Sequence, residues 1–456
     1  MNFEGKNFYF VGIGGIGMSA IARFFKHNNH FVAGYDLTET QLTRNLVSEG
    51  VSVNYCDEIE TIDKKIAEEK NNAIIVYTPA IPKENKLLNF FIDNDYKIFK
   101  RAEILGELSK ASKSIAIGGT HGKTTISSIV SHIFKQSERL NVAFVGGIVK
   151  NYKSNFILGN NIEDNYVILE ADEFDRSFLN FHSEISLLSS SDSDHLDIYQ
   201  NRDNILEAFN KFVSQSKKYV VLNEKVEIQE PQNLKVFRYG LDKSNNFYAV
   251  NIRLSGDMQI FDMVFPDGVC ENIEIKLPGL VNVENAVGAF SVSWLAGINP
   301  EKIKNALAAF DGIQRRFDLI LKTEKTVYIN DYAHHPAEID RLREAVNQFY
   351  PQRKKIAIFQ PHLFSRTHDF ADGFAKSLEK FDEVFLMDIY PAREKPIDGV
   401  TSKIIFDKIN NSRKSMCNFD NIVQKLQKKD LDVVLTIGAG SIDNLVEPIK
   451  ELINNK

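Results

Sequence analysis

An apolar strand that runs into glycines, then a lysine and two hydroxyls, then a helix leaves a chain few choices of local fold. Residues 114 to 134 read SIAIGGTHGKTTISSIVSHIF. Ser-Ile-Ala-Ile is a short buried strand, and Ile126, Ile129, Val130, Ile133 and Phe134 recur at helical spacing. Between them Gly118, Gly119, Thr120, His121, Gly122, Lys123, Thr124 and Thr125 form a shortened phosphate loop, with Ile117 where the general pattern has its first glycine. Glycines let backbone N–H groups turn toward phosphate oxygens. Lys123 adds positive charge, the Thr124 hydroxyl suits Mg²⁺, and the helix N-terminus adds its dipole. The blander reading, a glycine turn with a surface lysine, does not account for a G-K-T-T run placed at the strand–helix boundary.

A chain of 456 residues exceeds one ordinary core and is expected to form several domains. A hydrophobic share of 43% and a charged share of 25% belong to a globular protein. The net charge of −6 argues against nucleic acid or an anionic membrane as the main partner. No apolar run approaches the ~20 residues of a membrane span. Cys56, Cys270 and Cys417 stand far apart without metal spacing, as reduced thiols do. A cytoplasmic protein is expected.

Strands alternate with helices along most of the chain, which predicts parallel, doubly wound sheets. NFYFVGIGG, HFVAGYD and NAIIVYTPAIP open a first region, and KSIAIGG opens a second. Between residues 225 and 277 the alternating KVFRYG, NFYAVNIRLSG and MQIFDMVFPDG suggest a small antiparallel insert. A third region follows DGIQRRFDLI, with strands TVYINDYA, KIAIFQPH, EVFLMDIY and DVVLTIGAG.

Four further groups carry chemistry. Gly12, Gly14 and Gly17 make a G-x-G-x-x-G after the first strand, and Asp36 stands near the ~20-residue spacing of a ribose-binding acid. NAD, FAD or another nucleoside diphosphate fits this turn. A second phosphate loop points away from a simple dehydrogenase, while a nucleotide-regulated binding protein is a further alternative. LEADEFD puts Glu170, Asp172 and Glu173 at one strand end, and SSSDSDHLD puts Asp192, Asp194, His195 and Asp197 at another. Acids there hold metal ions or simply cap helices. NDYAHHPAEI supplies Asp331, Tyr332, His334 and His335, and FQPHLFSRTHDF supplies His362, Arg366, Thr367 and His368. These two groups are expected to line a cleft facing the phosphate loop. Arg315 and Arg316 lie in the joining segment, where an arginine is either solvated or clamps a phosphate on domain closure.

With these motifs in this order, the whole chain resembles the Mur ligase family of peptidoglycan synthesis. The marks are GIGGIGMSAIA, YTPAIP, GTHGKTT, EADEFDRSFL, DSDHLD, LPGLVNVENA, IQRRFD, DYAHHP, FQPHLFSRT and TIGAGSI. The resemblance implies an α/β fold of three domains. Residues 1–108 would be a Rossmann-like, UDP-substrate-binding domain. Residues 109–313 would be a P-loop ATPase-like domain with the small antiparallel insert. Residues 314–456 would be a Rossmann-like, amino-acid-binding domain. It implies an ATP- and Mg²⁺-dependent ligase that joins L-alanine to the carboxylate of UDP-N-acetylmuramate through an acyl phosphate, working as a monomer or homodimer without nucleic acid or membrane. Relatives that add a whole tripeptide share most motifs and are the alternative; GIGGIGMSAIA favours L-alanine.

By matching position, Gly12, Gly14, Gly15, Gly17 and Asp36 would meet the UDP substrate. The loop from Gly118 to Thr125 would hold ATP, with Lys123 at the γ-phosphate, Asn282 at the adenine and Asp331 at the ribose. Thr124 and Glu170 would serve one metal and His195 a second. His334, His362 and Arg366 would lie at the amino-acid site. Lys123, His195, Arg316 and His334 would carry the catalysis, His334 as a candidate base. Three positions depart from the family pattern: Val281 replaces a usual His, Leu363 a frequent Arg, and Ser190 a usual Asn.

Overall fold

The computed structural model describes residues 3–160, 165–192, 202–392 and 394–456. Three sheets organise them. The first has strands β1 (Asn7–Val11), β2 (Val32–Tyr35), β3 (Ser52–Asn54), β4 (Ala73–Tyr77) and β5 (Lys97–Lys100) in the order β3-β2-β1-β4-β5. All its pairings are parallel. Helices cover both faces, so β1 is apolar on both. Phe8 and Phe10 join one buried cluster, and Tyr9 and Val11 join the other. Phe8 stacks on Phe25 of the helix Ile16–His27 at 3.6 Å between ring centroids. The order reverses on either side of β1, which places a ligand crevice at its carboxyl end, where Gly12 follows.

The second sheet has ten strands. They are β6 (Ser114–Gly118), β7 (Leu140–Val149), β8 (Ser154–Leu158), β9 (Tyr166–Glu170), β10 (Ile185–Leu188), β11 (Tyr219–Asn223), β12 (Lys235–Gly240), β13 (Phe247–Ser255), β14 (Met258–Phe265) and β15 (Gly268–Ile275). Their order is β15-β14-β13-β12-β11-β10-β6-β9-β7-β8. The central strands β10, β6 and β9 pair in parallel, so the carboxyl ends that carry Gly118, Glu170 and Leu188 share one edge. The antiparallel strands expected between 225 and 277 are present in the β14–β15 hairpin. They extend the main sheet instead of forming a separate layer. β12 pairs in parallel with β11, and β13 in parallel with β12, carrying the ladder outward.

The third sheet orders β16 (Asp318–Lys322), β17 (Val327–Asp331), β18 (Lys355–Phe359), β19 (Glu383–Leu386), β20 (Lys414–Met416) and β21 (Val433–Ile437) as β16-β17-β21-β18-β19-β20. Only the β16 edge is antiparallel. β16 and β20 are the strands the sequence did not announce. β20 has three residues, and β16 lies in what reads as the joining segment.

Two compact units result. One comprises Met1–Leu254, Gln259–Ile275 and Val281–Phe310; the other comprises Ser255–Met258, Lys276–Leu280 and Asp311–Lys456. The first two sheets therefore share a unit. Within it the helix Ile16–His27 packs on β7 and β8, with Phe24 5.6 Å from Phe144 between centroids. The Asn155 amide donates to the Ile16 carbonyl and accepts from Arg23 Nη1 at 3.0 Å. Asn155 is fully buried, so its hydrogen bonds are needed to offset its desolvation. Among the described residues no helix is long and apolar enough to cross a membrane.

Candidate active site

β6 delivers the chain into the phosphate loop at Gly118. Gly119 (φ +125°) and Gly122 (φ +83°) adopt conformations that favour glycine. A Cβ at Gly119 would stand 2.8 Å from the Ser190 nitrogen, and one at Gly122 2.9 Å from Asn285 Oδ1. The serines after β10 hold the loop. Ser189 Oγ donates to the carbonyls of Gly118 (3.0 Å) and His121. Ser190 Oγ accepts from the His121 N–H at 2.7 Å and shares a proton with Thr120 Oγ1 at 2.8 Å. Ser190 thus braces the loop. His121 lies 3.7 Å from Asp192.

The helix Lys123–Gln136 starts at once, with Ile126, Ile129, Val130, Ile133 and Phe134 buried. Its first residue has the most loaded side chain of the site. Lys123 Nζ donates to Gly119 O (2.6 Å), to Thr120 O (3.3 Å) and to Glu173 Oε2 (2.6 Å). Glu173 is fully buried. Burial works against the charge on Lys123, but the carboxylates of Glu173 and Asp172 outweigh it and hold the lysine above its ordinary pKa. An ammonium has three N–H donors and all three are engaged. A phosphate oxygen must therefore displace one of these acceptors.

At the next residue, Thr124 Oγ1 donates to Glu170 Oε1 at 2.7 Å. Glu170 Oε2 accepts from Gly146 N (2.6 Å) and Ser127 Oγ (3.1 Å). Among the described residues no group of three His, Cys, Asp or Glu side chains could hold a metal. A cation at Thr124 and Glu170 would keep water and phosphate oxygens in the rest of its shell, as Mg²⁺ does. Thr125 is half-buried in the first helical turn. Asp194, His195 and Asp197 lie outside the described residues.

Asn282 opens the helix Leu280–Leu295 and accepts from Asn285 Nδ2 at 3.1 Å. Asn285 itself abuts Gly122. The sequence reading named Asn282 and missed Asn285. The i, i+3 spacing of two asparagines on one helix face was the available signal.

The first glycine turn is built as its spacing predicts. Gly12 (φ +88°) follows β1, and Gly14 N donates to Asp36 Oδ2 at 2.7 Å. Asp36 Oδ1 also accepts from Thr38 N. Gly15 caps the helix Ile16–His27, and Gly17 lies in its first turn.

In the other unit Asp331 ends β17 and accepts from Phe317 N (2.6 Å) and Ala333 N (2.8 Å). Burial dominates these bonds and raises its pKa to about 6. His334 Nδ1 is 2.9 Å from the Tyr332 carbonyl, which can only accept. Nδ1 therefore carries the proton, and Nε2 of the neutral ring keeps a lone pair. Burial lowers the His334 pKa, more than neighbouring Glu338 raises it. His362 is pushed down to about 4 by burial, then by Arg366, whose Nη1 lies 3.4 Å from its Nδ1. The rings of His334 and His362 are 6.1 Å apart, so His334, His362 and Arg366 form one group. Glu338, absent from the sequence reading, accepts from the His334 and His335 N–H groups. Its signal was Pro336 followed by an acid at the third helical position.

The two joining arginines differ. Arg315 is spent on structure: its Nη2 donates to Gly438 O (2.7 Å) and Gly440 O (3.1 Å). Arg316 lies over the Tyr332 ring at 5.5 Å and lowers the Asp331 pKa without a side-chain hydrogen bond among the described residues; its backbone N–H donates to the Ile313 carbonyl.

Three family models match in tandem: the Mur ligase family catalytic domain over 7–113, the Mur ligase middle domain over 117–293, and the Mur ligase glutamate ligase domain over 315–440. A UDP-N-acetylmuramate–L-alanine ligase of Flavobacterium johnsoniae is 43% identical over 450 residues, 98% of each chain. The crystal structure of a UDP-N-acetylmuramate–alanine ligase from Thermotoga maritima superposes with a TM-score of 0.83 at 25% identity, covering 98% of this chain and 99% of that one. A murein peptide ligase from Psychrobacter arcticus shares the fold, with a TM-score of 0.70 at 19% identity over 99% of both chains.

Proposed function

The chain belongs to the Mur ligase family, and on that premise we infer that it joins the amine of L-alanine to the carboxylate of UDP-N-acetylmuramate, converting ATP to ADP and phosphate. The observation that carries this reading is the 43% identity to a UDP-N-acetylmuramate–L-alanine ligase over 98% of both chains, against 19% to the murein peptide ligase from Psychrobacter arcticus.

A carboxylate and an amine do not condense in neutral water, because oxide does not leave. Phosphate does. A carboxylate oxygen of the sugar nucleotide attacks the γ-phosphorus, the bond to the ADP oxygen breaks, and an acyl phosphate forms. The uncharged amine then attacks the acyl carbon. The tetrahedral intermediate collapses by breaking the C–O bond to phosphate, and the amine's extra proton passes to a base.

Each step makes a demand that we assign to a residue. Attack brings two anions together, so Lys123 exchanges an acceptor for the γ-phosphate and neutralises it. Arg316, whose guanidinium makes no hydrogen bond among the described residues, is the second cation. Mg²⁺ suits the hard oxygens of Thr124 and Glu170 and, when bound, would further neutralise the triphosphate. His195 is assigned to a second metal from the resemblance alone. Gly118 to Thr125 present the loop N–H groups, Asn282 meets the adenine and Asp331 the ribose. Gly12, Gly14, Gly15 and Gly17 seat the UDP diphosphate, with Asp36 ordering that turn. His334 Nε2 has the lone pair that can take the amine's proton, and His362 and Arg366 complete the amino-acid site. On this reading the functional domains are residues 1–108, 109–313 and 314–456.

The test is an ADP-release panel with ATP, Mg²⁺, UDP-N-acetylmuramate and, in turn, L-alanine, glycine, L-serine and the cell-wall tripeptide. ADP release fastest with L-alanine is expected. Release with the tripeptide alone would identify the recycling activity, and release with none of them would remove the ligase reading.

A further inference from the structure

A cavity of about 180 Å³ inside the first compact unit joins the two nucleotide motifs. At one end are Ile16 and Gly17, in the first turn after the glycine loop; at the other are Gly146 and Glu170, beside the phosphate-loop threonine. Among the described residues three charged side chains line it, Glu170, Asp172 and Arg101, of which Arg101 is the cation.

Arg101 begins the helix Arg101–Ala111 and folds back against Gly17. A Cβ on Gly17 would stand 2.6 Å from Arg101 Nη1, so the guanidinium occupies space that any other residue would fill. Its one hydrogen bond among the described residues runs from Nη2 to Asp172 Oδ2 at 3.4 Å, the long end of the range. A guanidinium has five N–H donors in a planar fork suited to carboxylate or phosphate oxygens. Among the described residues the other four donors have no partner, in the wall of a cavity whose other described charges are negative. An anionic substrate group entering here meets repulsion from Glu170 and Asp172 unless Arg101 takes it.

We propose that Arg101 is a binding residue for the sugar-nucleotide substrate, accepting its anionic oxygens between the glycine turn and Glu170 and giving up Asp172 as it does so. This rests on the reading that the chain acts on UDP-N-acetylmuramate. Those oxygens belong either to the diphosphate or to the carboxylate that becomes acylated; both are oxyanions with the geometry a guanidinium fork matches.

The experiment measures dissociation constants by calorimetry on the full chain for UDP-N-acetylmuramate, for UDP-N-acetylglucosamine, which lacks the carboxylate, and for ADP. Arg101→Met should weaken UDP-N-acetylmuramate by roughly 10- to 100-fold, the loss of hydrogen bonds to a charged group. ADP affinity should stay within about twofold, as the phosphate loop is untouched. If UDP-N-acetylglucosamine weakens in parallel, Arg101 holds the diphosphate; if it does not, Arg101 holds the carboxylate. Arg101→Lys keeps the charge and stem, should lie between the two, and gives the same reading if the Met variant does not fold. Unchanged UDP-N-acetylmuramate affinity in both variants overturns the proposal. If the wild-type chain releases no ADP with all substrates present, the functional reading fails instead.

Discussion

Lys123→Ala will lower ADP release by about a thousandfold or more, some 4 kcal/mol of transition-state stabilisation, and leave UDP-N-acetylmuramate binding within about twofold of wild type. The first effect follows from the charge at the γ-phosphate. The second follows because Gly12, Gly14 and Asp36 lie on a different sheet from Lys123. The variant also takes Lys123 away from Glu173, a fully buried carboxylate. Breaking one side of such a pair costs about 3–5 kcal/mol of stability. Adding Glu173→Gln should recover much of the lost thermal stability, because a neutral amide needs no counter-ion, and should recover none of the activity. Steady-state kinetics and thermal unfolding on the single and double variants separate the two roles of Lys123. Recovery of turnover in the double variant would show that the lysine serves the fold alone.

Glu170→Gln should be the second most damaging change, cutting turnover by about a hundredfold to a thousandfold and raising the Mg²⁺ concentration needed for half-maximal rate. Both carboxylate oxygens are used as acceptors, from Thr124 and from Ser127 and Gly146. A glutamine has only one acceptor oxygen, so its NH₂ must face a donor on one side or the other. The variant loses both the charge that suits a divalent cation and the geometry that aims the Thr124 hydroxyl. A magnesium titration of initial rate reads this directly. Wild-type magnesium dependence in the variant would place the cation elsewhere.

Much of this arrangement was legible from residues alone, where local pattern and function coincide. The phosphate loop could be read because strand, glycines and helix follow one another within 21 residues. Spacing marked Asp36 as a ribose-binding acid; that it accepts from the Gly14 N–H shows only in the fold, where the turn after β1 and the end of β2 are neighbours. What stayed hidden depends on pairings across the sequence. Glu173 read as one strand-end acid among three, and nothing local separates an ion-paired buried carboxylate from a solvated one. Asn285 was overlooked because its neighbour Gly122 is 163 positions away along the chain. Ser190 was noted as a departure, but its bonds to Thr120 and His121 bridge two strand ends. The fusion of the first two sheets into one unit turns on Asn155, an unremarkable polar residue until the Ile16 carbonyl and Arg23 are brought against it. Arg101 belongs to none of the motifs, whereas its place in the fold makes it a charged wall shared by two of them.

The claim on which the rest depends is that a carboxylate oxygen of the sugar nucleotide captures the γ-phosphoryl group. The most direct measurement uses UDP-N-acetylmuramate labelled with ¹⁸O in that carboxylate, turned over with ATP, Mg²⁺ and L-alanine, with the released phosphate analysed by mass. Each phosphate should carry one ¹⁸O, because the acyl C–O bond breaks when the amine attacks. Unlabelled phosphate, with the departing ¹⁸O recovered in AMP or in water, would contradict the account.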